Sequence, residues 1–143
     1  MIAIISAIVT AVMVIIISLV VAKYFSPTII AGTLLTGIAF IYVGFSLKGN
    51  NNGHIIPESA AALVFYALSV YGLSYNKYFL GAGIMLHVIW DICHHNAALI
   101  STEIPSYWPA YCFTIDIIDG LYFLILFSLQ DKPGRMKTTT TIN

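Results

Sequence analysis

Charge is what this sequence has least of: only 8% of its 143 residues are charged, about a third of the share usual in a soluble domain. With 59% apolar residues and a mean hydropathy of +0.92, a soluble globular protein is excluded. Six Lys and Arg balance six Asp and Glu. Three of those basic residues, Lys132, Arg135 and Lys137, sit near the C-terminal end, which leaves no basic surface and excludes nucleic acid as a partner. Cysteine is scarce too. Cys93 and Cys112 allow at most one bridge, so no disulfide framework holds the fold. No basic residue precedes the first apolar run and no cleavage site follows it, so that run reads as a retained membrane helix rather than a signal peptide. Internal repeats are lacking, and the length suits one domain.

What is present is a series of apolar runs, each close to the roughly 20 residues that cross about 30 Å of hydrocarbon. Residues 2–22 end at Lys23 and the turn before Pro27; residues 28–47 end at Lys48 and the Asn-rich stretch 49–53. Residues 57–75, with Pro57 at their start, end at Asn76-Lys77. Residues 78–100 and 109–129 follow, separated by a loop containing Glu103 and Pro105. The expected fold is therefore all-α, a polytopic bundle of five transmembrane helices over residues 1–130, followed by a polar tail, 131–143, disordered around its threonine run. The third segment, interrupted by Ser59, Ser69, Gly72 and Ser74, is the weakest, and a four-span alternative would make it something other than a span.

Five spans put the termini on opposite sides. Lys23, Lys77, Lys132, Arg135 and Lys137 fall on one side and Lys48 on the other, so the positive-inside rule predicts a cytoplasmic C-terminus and an external N-terminus. Tyr107 and Trp108 then anchor the outer interface.

The fourth segment contains His87, Asp91, His94 and His95, including three of the four histidines. At about 100° per residue, with His87 at zero, Asp91 falls near about +40°, His94 near about −20° and His95 near about +80°. The four share one face, at spacings where helical neighbours can reach a common ion. In the fifth segment Asp116 and Asp119 stack at three-residue spacing. Buried carboxylates need compensation, and no Lys or Arg lies deep in any span, so histidines, protons and metal ions are the available partners. At about 1.5 Å per residue the two faces lie at one depth, and a short loop makes the two helices antiparallel neighbours. Glu58, opening the third segment in line with the small-residue face Ala62, Ser69 and Gly72, sits at the level of His94 and His95. The expected cluster is Glu58, His87, Asp91, His94, His95, Asp116 and Asp119.

Each element also has a plainer reading. The His/Asp set can be a hydrogen-bonded layer that fixes helix packing. Glu58 after Pro57 also fits an exposed helix N-terminus, and His54 fits a solvated loop. Trp90 can face the site or lipid. Cys112 suits a small buried hydrophobe as well as a thiolate ligand. A Cys93–Cys112 bridge would turn the His/Asp arc away from Asp116, so bridge and shared centre exclude each other.

The segment His87-x-x-Trp90-Asp91-x-x-His94-His95 resembles that of a small uncharacterised family of bacterial integral membrane proteins; the resemblance implies a compact helical protein of the bacterial inner membrane and assigns no activity. His87-x-x-x-Asp91-x-x-His94-His95 is also similar to a histidine box of the membrane desaturases and hydroxylases, with Asp91 where those enzymes often have another His. Asp116-x-x-Asp119-Gly120 is similar to the start of the CDP-alcohol phosphotransferase motif, but the Ala-Arg and second Asp-x-x-x-Asp of that motif do not follow.

The leading expectation is a metal centre in the outer half of the membrane. Mixed nitrogen and oxygen ligands suit Zn, Fe or Mn. The centre would act on a lipid-like substrate by hydrolysis or oxidation, with Asp116 and Asp119 as bridging or general-base groups. Two alternatives stand: a proton or divalent-cation transporter using the ladder as relay, and a structural or partner-binding subunit, which leaves a homo-oligomer open.

Overall fold

Long apolar runs, whose backbone N–H and C=O groups must be satisfied within the segment in hydrocarbon, set the helices of this chain, even where β-branched Ile and Val dominate as in the first. The structure, a computed structural model, describes residues 2–48, 54–95 and 102–132. Its helices are α1 (Ile2–Val21), α2 (Pro27–Lys48), α3 (Ile55–Ser74), α4 (Tyr78–His94) and α5 (Trp108–Asp131). Pro27 occupies the first position of α2, where the missing N–H costs nothing, and the Ile29 amide donates to Ser26 Oγ at 3.3 Å, an N-cap. Before α4, the Tyr78 amide donates to the Asn76 side chain at 3.1 Å.

Four of these helices, α1, α2, α3 and α5, are long and apolar enough to cross a membrane; α4, with 17 residues, is shorter. The weak third segment is thus a full-length helix, and the short one is the fourth. At 1.5 Å per residue α4 is about 26 Å long, just within the range that spans hydrocarbon. The helix ends at His94, short of the expected limit at residue 100, and His95 turns to extended backbone. The adjacent polar residues His94 and His95 are where the apolar pattern fails. Residues 96–100, the Asn-rich stretch 49–53 and the tail from 133 lie outside the described residues. At the other end α5 runs through Asp131, two residues past its expected limit. There Lys77 Nζ at 2.6 Å and the Tyr78 hydroxyl at 2.9 Å donate to the Asp131 carboxylate, joining the start of α4 to the end of α5.

Helix α4 occupies the centre, packed most extensively on α5 and touching α3 and α2; α2 pairs with α3, and α1 lies on α5. The α4–α5 pairing depends on two glycines. A Cβ at Gly81 would stand 3.1 Å from the Gly120 carbonyl oxygen, and one at Gly120 would meet Met85 and lie 3.0 Å from the Gly81 carbonyl oxygen. Each helix backbone therefore fills the space a side chain would need, the small-residue contact that brings membrane helices close. Polar ties reinforce the other pairs. Ser69 Oγ donates to the Gly32 carbonyl at 2.9 Å between α3 and α2, and the Tyr111 hydroxyl donates to Thr10 Oγ at 2.8 Å between α5 and α1.

Ala31, Leu35, Leu80, Ile84, Phe123 and Phe127 form the apolar core, between the Lys77 end and the polar residues of α4. Outward-facing surfaces remain strongly apolar. Helix α1 buries only Ala7, Ala11 and Ser18, and leaves Ile4, Val9, Met13, Ile16 and Val20 exposed. Water would expel such a surface, whereas lipid is its natural solvent.

Candidate metal centre

Beyond the apolar core, the i, i+4 spacing of His87 and Asp91 turns both side chains toward α5, and the glycine contact places Asp116 opposite them. His87 and Asp91 are each 1% exposed and Asp116 is 2% exposed. His87 Nδ1 lies 2.8 Å from Asp116 Oδ2 and 3.8 Å from Asp91 Oδ1. One donor atom from each residue lies within 4.8 Å of the others. Tetrahedral ligands about 2.1 Å from a common ion stand about 3.4 Å apart, so modest side-chain rotation brings these atoms into one coordination shell.

Without an ion, Nδ1 and Asp116 Oδ2 share one proton; a cation held on His87, Asp91 and Asp116 would take the place of that proton. Among the described residues neither His87 Nε2 nor Asp91 Oδ2 has a partner. Donors of this kind, nitrogen and carboxylate oxygen, fit Zn, Fe or Mn. Two carboxylates also balance a divalent cation, whereas two buried negative charges facing a neutral imidazole are strongly disfavoured.

Asp119 lies one turn further along α5, fully buried, with neither oxygen partnered among the described residues. It is outside the three-residue group, next to it on the same helix.

The single cluster expected from the sequence divides in two. Glu58 and His94 belong to a second set, called outer because it lies farther from the Lys77–Asp131 end, where α3 begins and α4 ends. His94 Nδ1 donates to the Trp90 carbonyl at 2.8 Å, and its Nε2 meets Glu58 Oε1 at 2.7 Å. Because Nδ1 must carry a proton to bond a carbonyl, a neutral His94 would present a lone pair to Glu58; an imidazolium–carboxylate pair satisfies both contacts. Trp90 Nε1 donates to Glu58 Oε2 at 3.0 Å and the Thr102 hydroxyl donates to Oε1. Trp90 thus faces Glu58 rather than only lipid. His95 is exposed and belongs to neither set. His54 precedes α3 with no side-chain cap bond. Cys93 and Cys112 are both free, and the His/Asp arc faces Asp116, the geometry a bridge would have prevented.

Tyr42 of α2 is the residue sequence reasoning missed. Its hydroxyl donates to Asp91 Oδ1 at 2.7 Å, and its ring lies against His94, with centroids 4.3 Å apart. It therefore separates the two sets and touches both. The signal available was position: Tyr42 continues the stripe Ala31, Leu35 and Ala39, the buried face of α2, where a large polar-tipped residue needs a hydrogen-bond partner. Thr102, in a polar loop, carried no such signal.

A family model described as a family of unknown function (DUF6010) matches residues 1–129. No curated protein and no solved structure matches the chain.

Proposed function

The chain belongs to that family of unknown function, and from its buried site we propose that it is an integral membrane protein holding a divalent cation on His87, Asp91 and Asp116, and acting there on a lipid-like substrate. The observation that carries this reading is the meeting of three buried donor atoms within 4.8 Å, with His87 Nε2 and Asp91 Oδ2 unpartnered among the described residues. Zn, Fe or Mn suits the donor set. Such an ion would supply Lewis acidity and an activated water for hydrolysis, or, as iron with dioxygen as the oxidant, a redox centre that takes electrons from the substrate. Within the chain, Tyr42 fixes Asp91, and Asp119, unpartnered among the described residues and one turn away, is the group to receive a proton. In this reading all five helices span, residues 1–130 form one domain, and the Lys77–Asp131 end faces the cytoplasm. Glu58, His94 and His95 are left out of the ligand set.

A proton or cation relay is the second reading, favoured by Asp119 extending the ladder one turn inward. Past it, Leu80, Ile84, Phe123 and Phe127 close the bundle with apolar side chains, which supports a closed site over a through path. A partner-binding role for the polar arc is disfavoured because the arc faces α2 and α5 of its own chain. Elemental analysis of the gently purified chain tests the leading reading. Stoichiometric metal is expected in the native protein and its loss in His87→Ala; absence of metal from the native protein would sink it. Proton flux in liposomes, with Asp91→Asn as control, tests the relay.

A further inference from the structure

At the Lys77–Asp131 end of the bundle a cleft of about 300 Å³ lies between Thr28 of α2, the last turn of α3, the start of α4 and the end of α5. Its volume is at the small end of the range for ligand sites, about 300–1,000 Å³. Exposed aromatic residues gather at the same end: Tyr24, Tyr71, Tyr75 and Phe79. Tyr71 packs against Tyr75 and Phe79, with ring centroids 5.0 and 4.9 Å apart. Aromatic side chains in such a belt mark the boundary between hydrocarbon and headgroups. The cleft therefore opens at headgroup level, in whichever leaflet this end occupies.

Its two charges are opposite, adjacent and reachable. Lys77 Nζ lies 2.6 Å from Asp131 Oδ1, and the two side chains are 25% and 50% exposed. The ammonium also lies 5.6 Å from the centroid of the Phe127 ring, which holds it in place, and the bond to Asp131 uses one of its three donors. An anionic headgroup drawn to Lys77 is repelled by Asp131 beside it. A zwitterion laid antiparallel to the pair meets an opposite charge at each end. Hydrogen bonding then separates one zwitterion from another. Asp131 and the last carbonyls of α3, at Gly72, Leu73 and Ser74, line the cleft, and a helix end leaves such carbonyls without intrahelical partners. A primary ammonium donates to these acceptors, whereas a quaternary one has no proton to give. For a phosphate there are donors: Lys77, the Thr28 hydroxyl, and the Asn76 amide nitrogen, whose neighbouring oxygen is engaged by the Tyr78 amide.

We propose that this cleft seats the headgroup of an ethanolamine phospholipid, its phosphate toward Lys77 and its primary ammonium toward Asp131. This site is separate from the metal centre and stands or falls without it. The test uses the full chain in nanodiscs holding equal amounts of ethanolamine, choline and glycerol phospholipids with identical acyl chains; native mass spectrometry then counts the lipids that stay bound. The native chain is expected to retain one ethanolamine lipid, in about tenfold excess over either other class, the discrimination that a charge-assisted hydrogen bond confers. Asp131→Asn leaves Lys77 unopposed and is expected to lose that preference and retain the anionic glycerol lipid instead, a switch that loss of a helix tie alone would not produce. Thr28→Val keeps the Lys77–Asp131 pair and is expected to lower retention of the ethanolamine lipid severalfold without the switch, so the proposal stays testable if Asp131→Asn does not fold. Equal retention of ethanolamine and choline lipids by the native chain, a native preference for the glycerol lipid, or an ethanolamine preference that every folded variant keeps overturns the proposal.

Discussion

The two polar sets lie within the same bundle, share Tyr42 between them, and are finished differently. In the outer set every partner closes: Glu58 accepts from His94, Trp90 and Thr102, and His94 uses both ring nitrogens. In the inner set, among the described residues, bonds are left open at His87 Nε2, Asp91 Oδ2 and both oxygens of Asp119. A closed network holds helices together and has no capacity left for a ligand. An open one is costly in the empty protein and retains donors for something else. Burial alone does not separate the sets, since both are almost wholly withdrawn from the surface; the state of their hydrogen bonds does.

Substitutions in the two sets should therefore differ in kind. The largest effect on folding is expected from Glu58→Ala, which strands a buried imidazolium and breaks the α3–α4 tie. A loss of about 3–5 kcal/mol is expected in unfolding measured in detergent, with metal content of the surviving folded protein unchanged. Tyr42→Phe removes the hydroxyl that fixes Asp91 and is expected to weaken metal affinity by about 10–100-fold, as loss of an orienting bond to a ligand does, in a metal-competition titration. Asp119→Asn has the opposite sign for stability. Removing charge from a buried group without partners is expected to stabilise the metal-free protein by about 1–2 kcal/mol, where the same change at Glu58 destabilises it. Ser69→Ala, remote from both sets, loses a single bond to Gly32 and is expected to cost about 0.5–1.5 kcal/mol with no effect on metal. A similar unfolding loss for Asp119→Asn and Glu58→Ala would erase the distinction.

Much of this architecture was legible in the sequence, and the reasons are geometric. Helical spacing alone places His87 and Asp91 on one face, and the short loop between the last two helices makes α4 and α5 neighbours, so their acids and imidazole meet. What spacing does not encode is the rotation and closeness of one helix against another. Those decide that Asp116 reaches His87 while Asp119 faces no partner among the described residues, and that Glu58 takes His94 away from the centre. Tyr42 was hidden for a related reason: in an apolar run a tyrosine looks like a lipid-facing residue until the burial of its face is known. The early end of α4 reflects polar residues that composition averaged over a longer window conceals.

The contrast between closed and open sets is tested most directly by metal stoichiometry in two matched variants, Glu58→Gln and Asp116→Asn, purified under the same mild conditions as the native chain. The native protein and Glu58→Gln are expected to carry one divalent ion per site, and Asp116→Asn to carry none. Metal retained by Asp116→Asn and lost from Glu58→Gln would place the centre in the outer set and contradict the account.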